Sequence, residues 1–101
     1  TLSGTLSMPS SLTSFTCYGS NTLSGYTRST KANNQNHFQL EGLNTMSSTD
    51  VDNILLDYAE VATWAGDKYF KLQGNAANRT SASDAAYATL QTKGLTTLSV
   101  D

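Results

Sequence analysis

The sequence predicts an α/β domain: a four-stranded parallel sheet on one face, two helices plus loops on the other, wound as a short solenoid. Three observations predict it. A stretch of apolar residue, spacer, apolar residue recurs four times; two helical patterns separate the later copies; glycines close most of these segments. Strands joined by helical crossovers run parallel, because the crossover returns the chain to the end of the sheet where it began.

The strands share one pattern. It reads Phe15-Thr16-Cys17-Tyr18-Gly19, then Phe38-Gln39-Leu40-Glu41-Gly42, then Phe70-Lys71-Leu72-Gln73-Gly74, and ends as Leu98-Ser99-Val100-Asp101. Period-two alternation buries one face and leaves the other polar. Glycine suits the sharp turn that follows, since it tolerates positive φ. Phe15, Cys17, Phe38, Leu40, Phe70, Leu72, Leu98 and Val100 should therefore form one buried stripe.

The returns differ. After the first strand no helix pattern fits, and Thr27 to Asn36 reads as a polar loop. After the second, Ser48 or Thr49 is an N-cap, with Asp50 and Asp52 favourably placed in the first turn. Val51, Ile54, Leu55, Tyr58 and Ala62 then follow one helical face, and Gly66 ends the helix. After the third, Ser81-Ala82-Ser83-Asp84 is a capping-box-like start. Ala82, Ala86 and Leu90 share a face, and Gly94 stops the chain before the last strand. The reading is one domain over residues 1–101. It divides into a loop-type repeat (1–36), two strand–helix repeats (37–67 and 68–94) and a capping strand (95–101). An open α/β sandwich is the alternative. It calls for helices on both faces and near-continuous apolar strands, whereas these strands alternate.

Composition narrows the function classes. Charged residues make up 14% and net charge is -2, with no basic run, so a nucleic-acid partner is not expected. No apolar run approaches the ~20 residues of a membrane span, so membrane insertion is not expected. One cysteine excludes an internal disulfide. The chain lacks a signal-peptide pattern and does not begin with Met, which reads as a processed, trimmed or partial product. The hydroxyl-rich, Lys-poor composition leans toward an extracellular or virion surface.

The tetrapeptide Thr1-Leu2-Ser3-Gly4 returns as Thr22-Leu23-Ser24-Gly25. Together with Leu12-x-x-Phe15-x-Cys17 and Asn21-x-Leu23-x-Gly25, it resembles the leucine-rich repeat, whose frame is L-x-x-L-x-L-x-x-N-x-L. The second copy matches at Phe38-x-Leu40 and Asn44-x-Met46, and the third keeps Phe70-x-Leu72 with Asn75 and Asn78 nearby. The departures are asparagines one residue late, Phe and Cys in place of Leu, and no N-x-L in the third copy. The ending looks like the closing segment of such domains in bacterial and bacteriophage surface or structural proteins. The resemblance implies a divergent repeat domain that binds through its sheet face.

Few residues point to chemistry. His37 is the only histidine; without a neighbouring cysteine or carboxylate cluster it reads as a surface residue rather than a base or ligand. Cys17 alternates toward the core and reads as a small hydrophobe. Asp50-Val51-Asp52 lacks the full calcium-loop spacing and the closing Glu, so helix-start charges account for it. Asp57 and Glu60 read as solvated charge, and Trp64 as a lid at the helix end. Asn78-Arg79-Thr80 is a glycosylation sequon, with meaning only in a eukaryotic secretory protein. With no nucleophile–base pair, metal cluster or phosphate loop, an enzyme is not expected, nor is a cofactor.

One constellation stands out. In a parallel sheet the spacers line up in rows, giving a polar face with Thr16, Tyr18, His37, Gln39, Glu41, Tyr69, Lys71 and Gln73. The expected function is a non-enzymatic structural, assembly or recognition module on a virion or cell surface. The alternative is an adhesin binding a carbohydrate or protein through that face. Leu2, Leu6, Met8 and Leu12 carry no shielding helix, and Thr1 opens in mid-repeat. A protein partner, a neighbouring subunit or earlier repeats should therefore cover the N-terminal edge.

Overall fold

In the computed structural model the repeated stretches pair as the spacing demands. The elements in chain order are β1 (Ser3–Leu6), β2 (Ser14–Cys17), β3 (Thr22–Tyr26), β4 (Asn34–Asn44), α1 (Ser48–Ala59), β5 (Thr63–Asn75), α2 (Asp84–Gln91) and β6 (Thr97–Val100). A short 3-10 turn, Ser81–Ser83, precedes α2. Residues 3–19, 21–75 and 77–101 are described. The roles expected of Thr1 and Leu2, and of the side chains of Asn44 and Asn75, lie outside the described residues.

The chain is mixed α/β with two parallel sheets, one of four strands in the order β2-β4-β5-β6 and one of two, β1-β3. Phe15 lies opposite Phe38, Phe38 opposite Phe70 and Phe70 opposite Leu98; Cys17, Leu40, Leu72 and Val100 form the next row. The inner four, Phe38, Leu40, Phe70 and Leu72, have 0% exposure, and the outer four are half-buried against them. Val51, Ile54, Leu55, Tyr58, Ala86 and Leu90 are buried with them. Phe38 packs on Phe70 with ring centroids 4.9 Å apart and on Tyr58 at 4.6 Å, the spacing at which aromatic pairs add to burial.

The glycines that close the strands form a column. Gly42 (φ 136°) and Gly74 (φ 74°) sit in the region L side chains avoid. A Cβ on Gly42 would stand 2.1 Å from the Gly19 carbonyl oxygen, and one on Gly74 would stand 2.7 Å from that of Gly42. Only glycine lets successive strand ends approach this closely. At the last strand the Asp101 carboxylate takes over, accepting from the Gly74 amide at 2.7 Å.

Several expectations are corrected. The N-cap of α1 is Ser47, one residue earlier than predicted; its hydroxyl accepts from the Asp50 amide while the Asp50 carboxylate accepts from the Ser47 amide. The helix stops at Ala59, so Ala62 is exposed outside it. Gly66 lies in β5, and Trp64 is buried there beside Tyr58 and Phe70. Val61, Thr63 and Trp64 favour extended backbone over a further helical turn. Thr80 caps the 3-10 turn, and the Ser83 hydroxyl leaves the cap for the Asp52 carboxylate at 2.6 Å, which leaves Ala82 exposed.

Within the first 36 residues β1 and β3 pair as a second parallel sheet. The two tetrapeptide copies meet out of phase: Gly4 faces Leu23, and a bulge then places Thr5 against Gly25. The sequence repeat is thus not a repeat of register. Leu6 (7% exposed) and Met8 (6%) are already buried within the chain, with the Tyr58 hydroxyl 3.5 Å from Met8 Sδ. Among the described residues β1 pairs with β3 alone, so an unpaired strand edge, rather than those two side chains, marks this end.

Candidate functional site

The polar face of the four-stranded sheet brings five of the eight predicted residues into one connected line. Rows of the ladder put His37 beside Tyr69, Gln39 beside Lys71 and Glu41 beside Gln73. The His37 ring lies flat on Tyr69, centroids 4.4 Å apart and planes 4° from parallel. His37 Nε2 meets Gln39 Oε1 at 3.1 Å. The Gln39 amide donates to Glu41 Oε2 at 2.5 Å, and Glu41 Oε1 pairs with Lys71 Nζ at 3.2 Å. The Gln39 amide bond first, then the Lys71 ammonium, outweigh the cost of burial and hold the Glu41 carboxyl below its ordinary range.

The other three stand apart from that line. Gln73 donates to the Ser99 hydroxyl. Thr16 sits opposite Gln39 and is exposed. Tyr18 follows the end of β2 and is 68% exposed.

Sequence reasoning missed Asp67. Between the pairs Gln35–Trp64 and His37–Tyr69, the segment Ala65 to Lys68 of β5 bulges opposite Asn36 alone. Gly66 (φ 59°) and Lys68 (φ 50°) make the turn. A bulge re-aims side chains next to a site, and here it sets Asp67 Oδ2 3.2 Å from His37 Nδ1. Both partners of His37 are acceptors, because Gln39 has turned its amide nitrogen to Glu41. The Gly66-Asp67-Lys68 turn signal was present, but it was read as a helix stop.

Two polar clusters lie away from this face; the first corrects the solvated-charge reading of Asp57, while Glu60 is exposed as expected. Asp57 is buried: it accepts from the Tyr26 hydroxyl at 2.6 Å, Arg28 Nε at 2.8 Å and the Ser29 amide at 3.0 Å. Lys31 Nζ, on a side chain only 2% exposed, lies 3.8 Å from Asp57 and donates to the Ser29 hydroxyl at 2.6 Å. Burial lowers the Lys31 pKa, against the pull of Asp57. Asp52 accepts from the Thr80 amide, the Thr80 hydroxyl and the Ser83 hydroxyl, which fastens the turn before α2 to α1. Burial would raise its pKa, but these bonds and Arg79 together lower it. Shallow clefts lie beside these clusters, about 450 Å³ around Arg79, Tyr87 and Val100 and about 390 Å³ around Arg28 and Glu60.

Cys17 is half-buried and burial pushes its thiol pKa up, which disfavours the nucleophilic thiolate. Among the described residues no three His, Cys, Asp or Glu side chains gather to hold a metal ion. Among the described residues no helix is long and apolar enough to cross a membrane. Comparison with protein-family models, with curated proteins and with solved structures finds no match.

Proposed function

We propose that this chain is a non-enzymatic recognition module whose ligand surface is the polar face of the four-stranded sheet. The observation that carries the reading is the line Asp67–His37–Gln39–Glu41–Lys71, ordered by its own hydrogen bonds on an open face. Groups already held in place lose little entropy on binding. The Glu41 carboxylate and the Lys71 ammonium on that line are paired with each other, so an ionic ligand that takes either has to break that pair. A neutral glycan does not: its hydroxyls both donate and accept, and the exposed Tyr18 ring offers an apolar surface for a sugar face. That balance favours the adhesin form of the reading over a purely structural part.

A leucine-rich-repeat-like solenoid is the architecture we propose to lie behind it. In support, Asn21 is buried and its amide donates to the Glu41 carbonyl oxygen at 3.2 Å, and the glycine column repeats from strand to strand. A virion or cell surface is the proposed setting, with a protein neighbour on the N-terminal strand edge.

The test replaces Tyr18, Gln39, Glu41, Tyr69 and Lys71 together and compares the variant with the parent on arrays of neutral and anionic glycans. The proposal expects neutral-glycan binding that the variant loses while its far-UV circular dichroism is kept. Binding that survives the five changes moves the site off the sheet face.

A further inference from the structure

We propose that copies of this chain associate head to tail, β6 of one copy pairing in parallel with β2 of the next. This goes beyond the recognition reading, because it concerns the edges of the sheet and not its face.

The two edges match in pattern and polarity. Among the described residues β2 pairs with β4 alone and β6 with β5 alone, so each leaves one side of its backbone open. Both strands are four residues long. One reads Ser-Phe-Thr-Cys and the other Thr-Leu-Ser-Val, that is hydroxyl, apolar, hydroxyl, apolar in each. Within the chain the rows run Ser14, His37, Tyr69, Thr97 and Phe15, Phe38, Phe70, Leu98. Placing the next copy's β2 on β6 continues them: Ser14 beside Thr97, Phe15 beside Leu98, Thr16 beside Ser99, Cys17 beside Val100. The new junction would repeat the pairing the chain already makes three times.

The unburied remainder of the ladder lies at these edges. The inner apolar residues have 0% exposure, whereas Phe15, Cys17, Leu98 and Val100 are half-buried. Val100 also lines the open cleft beside Tyr87 and Arg79. Edge strands in proteins that stay monomeric are commonly blocked by a charge, a proline or a bulge. Residues 14–17 and 97–100 carry no charge or proline, and their pairings with β4 and β5 run without a register shift. A second copy is favoured over an unrelated strand because one chain supplies both halves of the match in the parallel sense. The contact is heterologous, so it propagates into open series unless the rotation closes a ring.

Cys17, the single cysteine, makes the register testable. Adjacent strands lie about 4.8 Å apart, inside the range of Cα separations a disulfide spans, about 4.4–6.8 Å. Val100→Cys puts a second thiol opposite Cys17 of the neighbouring copy. Mild oxidation should then give a ladder of dimers, trimers and higher species on a non-reducing gel. The ladder should vanish when Cys17→Ser is added, and also when the new thiol is moved to the opposite face by Ser99→Cys. The parent chain should show a sedimentation-average mass that rises with concentration. Cross-links that stop at dimers in a folded Val100→Cys variant overturn the proposal, as does a parent chain that sediments as a monomer at every concentration. Glycan binding is read separately, so neither result is confused with failure of the face.

Discussion

The ladder at the centre of the molecule and the segment that follows β3 are both held against α1, by opposite chemistry. Under β4 and β5 the contacts are aliphatic and aromatic, in register, with no polar side chain among the rows of Phe38, Leu40, Phe70 and Leu72. Under Tyr26 to Lys31 the chain is fixed by Asp57, which gathers a hydroxyl, a guanidinium and an amide, with the Lys31 ammonium at 3.8 Å. The ladder draws its stability from removing apolar surface from water, which needs shape and little direction. The polar lock supplies direction, but its charges have lost water and each depends on its partner. One helix thus presents an apolar stripe to the sheet and two carboxylates, Asp50 and Asp57, to the segment beside it.

The contrast is broken most severely at the ladder. Phe38→Ala, at 0% exposure with three ring neighbours, should cost about 3–5 kcal/mol in chemical denaturation. Leu40→Ala should cost about 2–5 kcal/mol. A loss below about 1 kcal/mol at either position would contradict the register. Asp57→Ala comes next, at about 3 kcal/mol, because it strands a buried ammonium and a phenol. Adding Lys31→Met to it should recover part of that loss. A double variant as unstable as the sum of the two singles would mean that the two side chains do not act as a pair.

Groups in and beyond these two regions also make stability depend on pH. The Asp52 and Glu41 carboxyls are lowered from ordinary values of 3.8 and 4.5, so between those values and the folded ones the unfolded chain binds more protons. Stability is therefore full above about pH 4.5 and falls as pH drops through the folded values. Asp52→Asn should flatten that fall in urea titrations taken at successive pH values. The Tyr26 and Tyr58 hydroxyls are raised from 10.0, so the stability linked to them is complete below that pH and falls as alkali takes pH higher. The smallest effect belongs to the face. Glu41→Gln should change stability by less than about 1 kcal/mol, because the Lys71 pair is partly solvated, yet it should weaken ligand binding severalfold.

Legibility in the sequence follows the same division. The apolar rows were readable because period-two alternation states which side is buried, and Phe15, Phe38, Phe70 and Leu98 fell into one row as their patterns required. The partners of Asp57 were not, since Tyr26, Arg28 and Ser29 lie far from it in sequence and carry no periodicity. β3 was missed for a related reason: Thr22 to Tyr26 is short, contains Gly25, and pairs with the equally short β1. At the face, the rows of the ladder assembled His37, Gln39, Glu41, Tyr69 and Lys71 without help. Asp67 entered through the bulge, whose extra residues shift the count that alternation relies on.

The central claim, that the polar face is where ligand sits, is tested most directly by hydroxyl-radical footprinting of the chain with and without a bound neutral glycan. The side chains of Tyr18, His37 and Tyr69 should become protected, while Tyr87 in the cleft beside α2 keeps its reactivity. Protection confined to Tyr87 and its neighbours, with Tyr18 and Tyr69 unchanged, would contradict the account.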